Sequence, residues 1–356
     1  LVDMASGGQS GYCAGSGPPI VVGDTGTSGT ARCSGQVAAS VFRYGLCVCQ
    51  GLSASSPITV DAFDSTMPGA TTFGSGGSVG INGNINVSNT LSVGGTLQSA
   101  NSSVGQALKI GQDLLLGGGM NQSGVDVARN AKVAGDIVVN GTLKVVGNLT
   151  YGKTLTATTQ QIGSKMMGTV TVAAPCDCAQ NQIFPIASYV DARRTNNDNA
   201  SIGLDPARLN NFQSDQTLDL PCGRFFLNNI SGSAKLTVKV TGRTALFIGG
   251  DVNLQSNFTV QVGGTGELDL FINGGLTSSA ALNFGDASAP ARVRLYMGGS
   301  RNINLSGNAV INGNIYAPES ALVTSGSLTV AGSIFVNSFN PSNTVTIHHD
   351  IAVLKA

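Results

Sequence analysis

Val133-Ala-Gly-Asp-Ile-Val-Val139 and Val145-Val-Gly-Asn-Leu-Thr-Tyr151 share one pattern: apolar, any, Gly, any, apolar, any, apolar or small. The pattern returns as Ile81-Asn-Gly-Asn-Ile-Asn-Val87, Ile311-Asn-Gly-Asn-Ile-Tyr-Ala317 and Val330-Ala-Gly-Ser-Ile-Phe-Val336. Looser copies are Val93-Gly-Gly-Thr-Leu97 and Phe247-Ile-Gly-Gly-Asp-Val-Asn-Leu254. Apolar residues at i and i+2 face one side of a strand. A Gly between two such strands allows a bend that a Cβ would obstruct, and Asn tolerates the same turn geometry. Short strands that keep turning the same way stack into a coil, each turn about 4.8 Å above the last. The spacings of 12 (133 to 145) and 19 (311 to 330) read as one, or one half, of a coil. A β-sandwich would favour antiparallel hairpins and fewer glycines inside strands, so a parallel β-helix is the expected architecture.

The repeats divide the chain. Residues 1–78 form a Gly/Ser-rich tail and a Cys-containing segment, and residues 79–171 a first β-helix section. Residues 172–234 are read as an irregular lateral insertion or cap, and residues 235–356 as the C-terminal β-helix section. Val104 to Leu116 is less regular and is expected as coil or a brief helix. Asp205-Pro206 carries a helix-start signal.

Composition narrows the function classes. Lys plus Arg is 19 and Asp plus Glu is 19, so the net charge is zero. Nucleic-acid binding, which needs a clustered basic face, is not expected. Only 11% of residues are charged, and such a surface resists self-association weakly. No run approaches the ~20 apolar residues that span a bilayer, so no transmembrane segment is expected. The sequence starts at Leu1 with no signal-peptide pattern, which reads as a processed or truncated product. The seven cysteines, Cys13, Cys33, Cys47, Cys49, Cys176, Cys178 and Cys222, lie outside the repeats. They read as disulfide staples for core-poor segments, hence an oxidising, extracellular or outer-surface location. Cys47-Val-Cys49 and Cys176-Asp-Cys178 lack the C-x2-C spacing of structural zinc sites. No metal and no cofactor is expected, and with an odd count one thiol is left over.

Parallel β-helices also include enzymes that act on polysaccharides, and such a site would need acidic and basic side chains in one groove. Asp251, Asp269, Arg292 and Arg294 are the candidates; an 18-residue spacing could stack Asp251 and Asp269 on neighbouring coils. A structural or solubilising role is the simpler reading, and no catalytic residue is expected. His348-His349-Asp350 could orient an imidazole, but pinning the last coil is the simpler role.

From about Asp219 onward the chain resembles a bacterial surface-protein domain of uncharacterised function. Leu218-Asp-Leu-Pro-Cys-Gly-Arg224, Gly249-Gly-Asp251, Glu267-Leu-Asp-Leu-Phe271, Arg294-Leu-Tyr-Met-Gly-Gly299, Gly313-Asn-Ile-Tyr-Ala-Pro318 and His349-Asp350 carry the likeness. That domain occurs in pilus-associated proteins and in exported lipoproteins of myxobacteria-like bacteria. Phe42-Arg-Tyr-Gly-Leu-Cys-Val-Cys49 and Asp61-Ala-Phe-Asp-Ser65 are similar to those lipoproteins, without their lipidated first Cys. Residues 79–151 are similar in style to bactofilins, which polymerise. The resemblance implies an all-β fold, a right-handed parallel β-helix, and supplies no catalytic residue.

The function expected is therefore structural: an extracellular subunit of a filament or surface layer, with itself as partner. The seam would be the alternating, charge-poor strand ending the chain, with Val345, Ile347, His349, Ile351 and Val353 on one face. Strand donation by the N-terminal tail is the other route. The alternatives are a monomeric adhesin binding cell-surface polysaccharide and, less favoured, a polysaccharide-cleaving enzyme.

Overall fold

The computed structural model describes residues 9–14, 41–67 and 74–354. Strand accounts for 54% and helix for 8%, and the strands stack as the parallel coils of a β-solenoid. The coils fall into two compact units.

One unit comprises Tyr44–Ile183 and Ala321–Ile351. Its coils are short. Ile85, Ser103, Met120, Ile137 and Leu155 stand in one column, each paired with the next. A coil has three short sides, and the spacing from Val133 to Val145 covers two of them. The first four members of that column are at most 3% exposed, so each coil contributes to one shared apolar core. The turns between sides press on the coil below. A Cβ on Gly83 would fall 1.0 Å from the Gln50 carbonyl oxygen, so only glycine fits. Ser103–Ile110 and Leu114–Leu116 are strands of this ladder, not a helix.

The N-terminal Cys segment belongs to the same coils. Leu46–Ala54 pairs with Val79–Ile81 and Ile85–Val93 on one side and with Leu328–Pro341 on the other. Ile58–Phe63 lies between Ile85–Val93 and Val345–Asp350.

The other unit is built on residues 184–320, with residues 9–14 docked on it. Its coils are wider: Leu236, Phe258, Leu282 and Ala309 are in register, each paired with the next. The first coil begins earlier than the expected residue 235. Gln216–Leu220, Gly223–Leu227 and Ile230–Gly232 already pair with the next turn. Gly223–Leu227 and most of Arg243–Ile248 and Glu267–Ile272 are buried at successive residues, so both faces are covered. Phe226, Phe247, Phe271, Tyr296 and Tyr316 form a column on one face. Phe247–Phe271 and Phe271–Tyr296 stack at 4.7 and 4.6 Å, nearly parallel. The helix Ile186–Arg193 packs on these strands, Arg194 lies over Phe226, and Phe184 stacks on Tyr316.

Two sides of the first wide coil, Gly223–Leu227 and Ile230–Gly232, are closed on their outer edge by irregular chain. Asn199 exchanges two hydrogen bonds with the Phe226 backbone, and the Pro206 and Leu209 carbonyls accept the Asn228 and Ser231 N–H groups. Leu204 and Leu209 are buried beneath. Asp205-Pro206 opens a turn here rather than the expected helix: the Asp205 carboxylate accepts the Ala207 N–H at 2.8 Å, but the chain does not continue into helical turns.

Candidate functional site

Three disulfides fix what surrounds the coils. Cys13–Cys222 holds residues 9–14 to the wider unit, and Cys47–Cys176 with Cys49–Cys178 ties the chain after the last short coil back to Leu46–Ala54. Each C-x-C pair thus meets the other, residue for residue, the first in a strand and the second in a tight turn where the Cys178 N–H donates to the Cys176 carbonyl. Six of the seven expected staples are bonded; Cys33 lies outside the described residues.

The expected seam does not lie at an end. Val345–Asp350 is hydrogen-bonded on both edges, to Leu328–Pro341 and to Ile58–Phe63. Val345 and Ile347 are fully buried and His349 is 1% exposed. Ile351 and Val353 follow in a 3-10 turn rather than a strand. The last strand in sequence is an interior strand in space, because the N-terminal segment pairs onto it. The histidine motif is part of that join. His348 Nδ1 meets the Asp61 carboxylate at 2.6 Å, and Asp350 accepts the Ser65 N–H and hydroxyl at 3.0 and 2.6 Å.

The free edge lies at the opposite end of the short coils. Leu155–Met167 pairs with Ile137–Tyr151 and with no other strand among the described residues. Its core-facing row changes character there. Gln160 stands over Leu143 and Lys165 over Leu149, and Lys165 Nζ donates to Gln160 Oε1 at 2.8 Å. Met166 and Met167 are more than 60% exposed.

The acidic and basic candidates separate. Asp269 is buried and pairs bidentately with Arg294, Nε to Oδ1 at 2.6 Å and Nη2 to Oδ2 at 2.9 Å; Glu267 meets the same guanidinium at 2.8 Å. Burial pushes the Asp269 carboxyl above its ordinary range, and Arg294 opposes that rise. Tyr12 of the docked N-terminal helix lies beside this cluster, its ring 4.3 Å from the Arg243 guanidinium and 5.4 Å from that of Arg224. Burial, then the Asp269 charge, pushes its phenol up, so it stays neutral. Arg292 donates to the Gly264 carbonyl at 2.6 Å. Asp251 stands elsewhere, in a turn where its Oδ1 accepts the Gly275 N–H at 2.8 Å. It does not stack on Asp269, because the coil that carries it is longer than the spacing between the two: Val252 pairs with Leu276.

Asp251 instead borders a groove of about 430 Å3 on the outside of the wider coils. Three short strands, Val252–Leu254, Leu276–Ser278 and Ile303–Leu305, run through it in register. Each buries its first and third residues and turns the middle one outward: Asn253, Thr277 and Asn304. Ser300, Arg301 and Asn302 complete the wall. Apart from Asp251, none of these residues stands out in the sequence. The signal is present, as Val-Asn-Leu, Leu-Thr-Ser and Ile-Asn-Leu, but a three-residue strand is too short to be recognised by period. Among the described residues no group of three or more His, Cys, Asp or Glu could hold a metal ion. Among them, too, no helix is long and apolar enough to cross a membrane.

Residues 179–355 match a domain of unknown function, DUF7305. The matched segment takes in the wider coils, the closing chain on their first turn and the Val345–Asp350 strand. No curated protein and no solved structure matches the chain.

Proposed function

We propose that the protein is an extracellular structural protein of the cell surface that self-associates through the edge strand Leu155–Met167. The carrying observation is that strand. It presents a row of backbone N–H and C=O groups that no described strand covers, and such an edge is a template for another chain. Zero net charge leaves little long-range repulsion between copies. Three disulfides are consistent with an oxidising, extracellular setting. The partner is a second copy, because the edge continues the geometry of the strand below it. Lys165 sets the strength: an inward-pointing charge on a terminal coil is a device that restrains edge pairing. On the first wide coil, residues 198–212 close two of the three sides, and the third, Gln216–Leu220, is a five-residue template against the thirteen residues of Leu155–Met167.

The test is sedimentation and negative-stain imaging over a concentration series. Wild type associates reversibly. Lys165→Leu, which removes the guard, associates at lower concentration, and Gln160→Lys, which adds a second, stays monomeric. Monomers for both wild type and Lys165→Leu at every concentration overturn the reading.

A further inference from the structure

The outer groove of the wider coils is built from polar side chains that the fold itself does not use. On the first turn of this unit, outward polar side chains serve the adjoining chain. Asn229 Oδ1 accepts the Asp251 N–H, Ser231 and Ser233 hydroxyls donate to Asn211 and Gln213, and Asp215 accepts the Lys235 N–H. Asn253, Thr277 and Asn304 stand in register with one another, make no side-chain hydrogen bond among the described residues, and line a concave surface. Arg301 forms no ion pair among the described residues, and Asp251 keeps its second oxygen unbonded. One concave surface therefore collects amide, hydroxyl, carboxylate and guanidinium groups with unspent hydrogen-bonding capacity.

We infer that this groove binds an acidic oligosaccharide, a chain of pyranose sugars bearing carboxylates, laid along the solenoid axis. The spacing fits. In-register side chains on successive parallel strands stand about 4.8 Å apart, a step close to the length of one pyranose residue. Asn253, Thr277 and Asn304 thus meet successive sugars with the same polar groups. The chemistry fits as well. Amides and a hydroxyl exchange hydrogen bonds with sugar hydroxyls, and the second Asp251 oxygen accepts one. Arg301 supplies the planar fork that matches a carboxylate in two parallel bonds. The groove has no aromatic wall on which a sugar could stack, so selectivity rests on the charge and the ladder. It binds rather than cleaves. Glycoside hydrolysis by the two-carboxylate route needs a second acid across the bond, and Asp251 is the one carboxylate in the lining. The inference is independent of edge pairing, which uses the other unit.

Oligogalacturonate and a neutral glucan oligomer of equal length would be titrated into the full-length protein, by calorimetry and by NMR of the Asn side-chain amides. Oligogalacturonate binds and shifts the Asn253 and Asn304 amide signals; the neutral glucan binds more weakly. Arg301→Gln, at an exposed position, weakens oligogalacturonate about tenfold, the loss expected for one charged hydrogen-bonded pair, and leaves the glucan unchanged. Asn253→Ala with Asn304→Ala weakens both. No binding of oligogalacturonate, equal binding of the two sugars, or an unchanged affinity in Arg301→Gln each overturns the inference.

Discussion

The Asp269–Arg294 pair is the most consequential residue-scale feature of the wider unit. It is buried on the covered face of a central strand, with two hydrogen bonds between the partners and Glu267 alongside. A buried pair stabilises less than its geometry suggests, because both ions left water, but removing one partner strands the other. Asp269→Ala is expected to lower stability by about 3–5 kcal/mol, and Asp269→Leu with Arg294→Met to recover most of that loss. Denaturant unfolding of the single and double variants checks both. The turn ladders make a milder prediction. Asp136 accepts the Thr154 hydroxyl at 2.7 Å and its N–H at 3.2 Å, and these bonds hold its carboxyl below its ordinary value. A depressed folded-state value contributes stability above the ordinary carboxylate pKa of about 4, lost as pH falls through the lower folded value. NMR titration should place the Asp136 midpoint below that of a free aspartate, and Thr154→Val should raise it.

Among the elements, the disulfides and the aromatic column each tie residues distant in sequence. Cys47–Cys176 and Cys49–Cys178 close loops of the same span, a sequence separation of 129 in each. In the chain-entropy account a loop of this size contributes about 4–5 kcal/mol, but the second bond closes almost nothing the first left open. Either pair replaced by Ser should cost far less than half of what both cost together, read as thermal midpoints of the three variants. In the other unit, Phe271→Ala removes the middle of a stacked column and should cost about 3–5 kcal/mol. The elements legible in sequence are those with a strict beat. The repeats over residues 79–151 show their strands, but not that a coil has three sides, because its glycine turns look alike whichever side they follow. Leu155–Met167 is not legible as an edge, because Gln160 and Lys165 break the apolar row that marks its neighbours. The Ile186–Arg193 helix has too short a stripe to announce itself, whereas Asp205-Pro206 announces a helix with residues that serve a turn equally well. The groove is invisible in sequence because Asn253, Thr277 and Asn304 gain meaning only when their distant strands are laid side by side.

At the scale of the whole molecule, position in the chain is not position in the stack. Ile58, near one end of the sequence, pairs with Val345, near the other, which is why the expected seam turns out to be interior. Truncation after Ser327 should therefore destabilise the N-terminal coils, which lose partners for Leu46–Ala54 and Ile58–Phe63. Limited proteolysis should find new cuts between positions 46 and 63. A truncated chain as resistant there as the full-length protein would contradict that dependence.

The same join governs the order of arrival. A chain made or exported from its N-terminus delivers Leu46–Ala54 and Ile58–Phe63 early, with one edge of each satisfied by the coils that follow directly. Their other edge waits until residues 328–350 emerge. Every newborn copy thus passes through an interval in which two strands lack their final neighbour. Crowded nascent chains would be most prone to mispair in that interval, and a holdase that shields residues 46–63 would raise the yield of correctly closed protein.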